Sequence, residues 1–101
     1  MGYSMTLNQL HVLNSLDGQD RYGLEIMRHL KAEHNISLIL GSLYNVLGKL
    51  ERDGLVESYF GEATEARGGR RKRFYRISAL GERSLQEVRL QLQSSFNFQI
   101  A

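Results

Sequence analysis

With 101 residues, 13 Lys and Arg against 11 Asp and Glu, and a formal charge of +2, the chain makes one small domain and is not a globally basic packing protein, although its pI is near 9.2. It is too short to hold a separate ligand-binding domain beside its core, so it is expected to work through a surface. The lack of cysteine excludes disulfides and thiolate zinc sites, and the lack of proline leaves chain breaks to ten glycines; no secretory pattern or long apolar run is present, which fits a cytoplasmic protein with no membrane partner.

In TLNQ, Thr6 and Gln9 have capping-box spacing, and Leu7, Leu10, Leu13 and Leu16 follow at helical spacing. This predicts a first helix over about 5–16, stopped by Asp17 and Gly18. Asp20 is a candidate cap for a second helix from Arg21 to about Glu33, with Ile26, Met27 and Leu30 inward and Glu25, Arg28 and Lys31 outward. Asn35 ends it, Ile36 and Ser37 form an extended link, and Ser37 is the candidate cap of a third helix over 38–53, closed by Asp53 and Gly54.

On that third helix Leu40, Leu43, Val46, Leu47 and Leu50 form the apolar side, while Ser42, Asn45, Lys49 and Arg52 lie on the other. Gly41 and Gly48 thin the surface between them. Small polar groups followed by long cations suit a helix in the DNA major groove, where short side chains read base edges and cations meet phosphate. A merely solvated face is the plainer reading of such a helix taken alone. Tyr44 flanks the apolar side and is placed to pack its ring on the second helix with its hydroxyl toward a phosphate. Lys49 and Arg52 suit phosphate better than bases, and Arg52 could instead pair with a carboxylate on its own helix.

Residues 55–60 and 73–78 read as two strands joined by a charged loop, 61–72, bent at Gly68 and Gly69. Five cations crowd its end: Arg67, Arg70, Arg71, Lys72 and Arg73. Arginine is favoured in a narrow minor groove by its negative potential. Alternation within the second strand sends Phe74 and Tyr75 to opposite faces, one of them into the core. Ser78 caps a last helix through about Phe96, whose apolar stripe of Leu85, Val88, Leu92 and Phe96 lacks a partner within so small a domain. A second copy would cover it, making a homodimer.

Three helices, a hairpin and a terminal helix make an α+β, mainly α fold: a winged helix-turn-helix over 1–78 with a C-terminal dimerisation helix over 79–101 packed on it. His11, His29 and His34 lie on two helices without cysteine or tight spacing and read as boundary residues, so no metal or other cofactor is expected. No nucleophile motif, phosphate loop or acid–base carboxylate pair is present, so no enzyme is expected; Glu51 and Asp53 read as surface residues at a helix end.

YGLEI at 22–26, GSLYNVLGKLERDGLV at 41–56 and GGRRKRFYRISALG at 68–81, in that order, resemble the PadR family of transcriptional regulators. The resemblance implies a dimeric repressor whose third helices enter successive major grooves and whose wings reach adjacent minor grooves. It also implies the short branch of the family, with one dimerisation helix in place of an effector domain. By position, Ser42, Tyr44 and Lys49 fall on the recognition-helix motif, and Gly69, Arg70 and Lys72 on the wing motif. Leu40 and Arg71 stand where the family often has proline. The expected partners are a palindromic double-stranded operator and a second copy. The dimer interface, near Phe96 and Phe98, could also enclose a small apolar or aromatic effector. The reading from another class is a winged-helix protein-interaction module without an operator.

Overall fold

The computed structural model describes residues 5–62 and 71–100, with side chains described as far as Ser95. Its elements are α1 (Leu7–Ser15), β1 (Arg21–Tyr22), α2 (Gly23–His34), α3 (Leu40–Arg52), β2 (Val56–Phe60), β3 (Arg73–Ile77) and α4 (Ala79–Ile100). Four helices surround one core, and a three-stranded antiparallel sheet of order β1-β3-β2 closes its side. This is a winged helix: α1 to α3 form the helical body, and the β2–β3 hairpin is its wing.

Helix α1 starts as its capping box dictates. The Thr6 hydroxyl accepts from Gln9 N–H at 3.1 Å, and Gln9 Oε1 accepts from Thr6 N–H at 2.9 Å. Gly18, at φ +82°, turns the chain after it. Val12, Leu13 and Leu16 enter the core, whereas Leu7, in the first turn, stays exposed.

Helix α2 begins later than its sequence suggests, because Arg21 and Tyr22 are taken as an edge strand. Arg21 pairs with Tyr75 and Tyr22 with Phe74 of β3. Asp20 is therefore not its cap; its carboxylate instead accepts the Tyr59 hydroxyl at 2.5 Å. Glu25 Oε1 accepts from Tyr22 N–H at 3.1 Å and closes the first turn. At the other end Asn35 adopts the left-handed conformation (φ +54°), and Ile36 N–H returns to the Leu30 carbonyl at 3.1 Å.

Ser37 does not cap α3 either. Its hydroxyl accepts from Lys31 Nζ at 3.3 Å, the N-cap falls to Ile39, and the helix starts at Leu40. Leu40 is exposed at this end and not inward as its spacing suggests; Leu38, two residues earlier, packs against the core instead. Leu43, Leu47 and Leu50 carry the buried face. Gly54, at φ +78°, reverses the chain into β2, and Leu55 N–H closes the corner on the Leu50 carbonyl at 2.9 Å.

Within the wing, Val56 faces Ile77 and Phe60 faces Arg73 at the two ends of the register. Tyr75 and Ile77 point into the core and Phe74 points out, as the alternation requires. The outer face of the sheet carries an aromatic ladder: Phe74 stacks on Tyr59 at 5.7 Å and meets the Tyr22 ring edge-on at 5.6 Å. Ser78 then caps α4, accepting from Gly81 N–H at 3.0 Å while donating to the Gly54 carbonyl at 2.6 Å. Leu85 docks α4 on the core. Arg89 ties it to α1 through the Asn14 side chain and to the turn after that helix through Asp17 at 2.9 Å.

Candidate nucleic-acid interface

The sequence of α3 divides its surface cleanly. With Leu43, Leu47 and Leu50 fully buried, Tyr44, Asn45, Lys49 and Arg52 are exposed and Ser42 is half-buried. A side chain at Gly41 would meet nothing, so this backbone is open to close approach. Lys49 pairs with Asp53 one turn on, at 3.3 Å, with about half of its side chain still exposed. Arg52 lies back along the helix, its Nη1 3.6 Å from where a Cβ on Gly48 would stand.

Tyr44 packs against the start of α2, as its flanking position implies. A Cβ added at Gly23 would lie 2.6 Å from the Tyr44 hydroxyl oxygen, so the glycine of the YGLEI stretch makes room for the ring. Tyr44, Leu40, Tyr22 and the base of the wing, Arg71 to Arg73, line a groove of about 340 Å³. Three consecutive cationic residues thus line the same groove as the N-terminal half of α3, where a phosphate would gain from their charge.

The three are not equivalent. Arg71 is exposed, and Lys72 places Nζ 4.3 Å above the Tyr22 ring. Arg73, also exposed, is held in place: its Nη2 donates to Glu51 Oε1 at 3.1 Å and to Ser58 Oγ at 2.9 Å, and Ser58 Oγ donates to Glu51 Oε2 at 2.6 Å. Glu51 is therefore the joint between α3 and both strands of the wing, not an idle surface carboxylate. Its role was unreadable locally, since its partners lie seven and twenty-two positions away. Burial holds the Tyr75 hydroxyl above its ordinary pKa, although neighbouring Arg73 pulls it down. The hydrogen bond to Asp20 likewise raises Tyr59. Arg67, Gly69 and Arg70, expected on the wing, lie outside the described residues.

The fold gathers His11, His29 and His34, which the sequence leaves apart. The His34 ring lies 5.6 Å from that of His11 and 6.1 Å from that of His29. Among the described residues, no group of three or more His, Cys, Asp or Glu could hold a metal ion. No described helix is long and apolar enough to cross a membrane. Of the expected dimerisation residues, Leu85 is spent on the core, Val88 is half-buried and Leu92 is 54% exposed, as is Leu90. The Phe96 side chain lies outside the described ones.

Residues 12–87 match the transcriptional regulator PadR-like family. An uncharacterized protein of Lysinibacillus sphaericus is 35% identical over 79 residues, which cover 76% of this chain and 70% of that one. Among solved structures, a PadR family transcriptional regulator from Eggerthella lenta is similar with a TM-score of 0.72 at 28% identity, over 88% of this chain and 74% of its own. A PadR family transcription regulator from Clostridium difficile shares the fold with a TM-score of 0.78 at 21% identity, over 95% of this chain and 100% of its own.

Proposed function

Because the chain belongs to the PadR-like family of transcriptional regulators, DNA-binding proteins and not enzymes, we propose that it is a dimeric repressor that occupies a palindromic operator. In this reading α3 enters the major groove. Ser42 and Asn45 face base edges, while Tyr44, Lys49 and Arg52 meet phosphate. The wing, 61–72, reaches the adjacent minor groove with Arg67, Gly69, Arg70, Arg71 and Lys72, and Arg73 fixes the angle of the wing from within. The observation that carries this reading is the groove that joins Tyr44 and Leu40 of α3 to Arg71, Lys72 and Arg73.

The unit that binds DNA is assigned to 1–78 and the dimerisation helix to 79–101. Leu90 and Leu92, exposed beyond the point where α4 leaves the core, support a second copy as their cover. A small apolar or aromatic effector between the two α4 helices would involve Phe96 and Phe98, whose side chains are not among those described. The protein would work in the cytoplasm, on the nucleoid when bound.

The test is the salt dependence of binding to a duplex enriched from a random library. Replacing Arg71 and Lys72 together with alanine is expected to weaken binding to all sequences and to reduce the log–log salt slope by roughly 1 to 2, about 0.9 for each phosphate no longer neutralised. An unchanged slope would remove the wing base from the interface.

A further inference from the structure

A helix N-cap is ordinarily Ser, Thr, Asp or Asn, whose side-chain oxygen accepts an orphan backbone N–H. The recognition helix has Ile39 there instead, with no side-chain cap, although Ser37 lies two residues away. Ile39 is also 75% exposed, the highest value among the described large hydrophobic residues. It is therefore an apolar side chain at a position that favours a polar one, standing in water at the tip of the helix that the DNA-binding reading sends into the groove. Beside it, Leu40 is also exposed, and a side chain at Gly41 would meet nothing.

In a major groove an apolar side chain has few partners. Phosphates are charged, and the edges of guanine, adenine and cytosine present hydrogen-bond donors and acceptors. Thymine alone among the four bases carries a methyl group there, on C5. The residues at the N-terminal end of a recognition helix are the ones that reach base edges. We propose that Ile39 is a specificity-determining residue that reads a thymine in each half-site by covering its C5-methyl. This inference rests on the operator-binding reading above and adds to it one base identity and the side chain that selects it.

Deoxyuridine pairs as thymine does but lacks that methyl, which makes it the probe. The full chain is used to enrich duplexes from a random library. The preferred duplex is then resynthesised with deoxyuridine at one thymine at a time. One position in each half-site is expected to lose about fourfold in affinity per methyl removed. Ile39→Ala is expected to bind the thymine and deoxyuridine duplexes equally, while keeping its salt-dependent binding to random DNA. If the wild-type chain treats the two alike at every position, or if Ile39→Ala still separates them, the inference is overturned and operator binding stands. If no sequence is enriched at all, operator reading itself fails and takes this inference with it.

Discussion

Two glycines separate what space is for at the scale of single residues. A methyl group at Gly81 would run into the Leu55 carbonyl and come within 2.8 Å of Ile77 Cγ1, where backbone and core cannot yield. Gly81→Ala is expected to destabilise the fold by about 1–3 kcal/mol. At Gly23 the obstacle is the tip of Tyr44, an exposed ring that can swing away. Gly23→Ala should therefore change stability by less than about 1 kcal/mol yet lower DNA affinity, because Tyr44 leaves the groove. Urea unfolding beside a binding titration separates the two variants, and equal stability losses would contradict the assignment. His29 gives a pH signature. Burial first, then Arg21, hold its pKa below 6.5, with Glu33 opposing. The fold thus prefers the neutral ring. Its contribution is complete above pH 6.5 and is lost as pH falls through 6.5 toward the lowered folded value. The Tm of the wild type is expected to drop more between about pH 7.5 and about pH 5.5 than that of His29→Gln, and parallel drops would refute this.

At the scale of elements, what could be read from the sequence was what is local. The Thr6–Gln9 box, the turns at Gly18 and Gly54 and the Ser78 cap are made by residues within a few positions of one another, and each stands where its sequence puts it. Asp20 and Ser37 are equally good caps locally, but Tyr59 and Lys31 claim their oxygens. Strand β1 is two residues long and takes its hydrogen bonds from β3, more than fifty positions on, so no periodicity announces it. The same limit applies to the site. The exposed face of α3 follows from its own spacing, whereas the capture of Arg73 by Glu51 follows only from the folded hairpin. Helix α4 is legible as a stripe, but Leu85 belongs to the core, and the surface left for a partner lies further along. Leu92→Glu is expected to halve the native mass and, since Leu92 stands outside the core, to lower Tm only by what subunit association contributes, leaving it independent of protein concentration. A dimer that persists in this variant would place the interface elsewhere.

The molecule as a whole is elongated, 56 × 27 × 22 Å, with α4 extending from a body in which α3 and the wing base share one groove. A two-fold axis through α4 would set two copies of α3 at a fixed separation, and an operator must match that spacing. The net charge of +2 is too small to hold DNA by itself. In the proposed reading, affinity comes from the local cations and sequence preference from the tip and polar face of α3. The most direct measurement is the sequence that the full-length protein enriches from a random duplex library. An inverted repeat with half-site centres about one helical turn apart, roughly 34–36 Å, is the predicted result. No enrichment, or a motif without two-fold symmetry, would contradict the account of a dimeric operator-binding repressor.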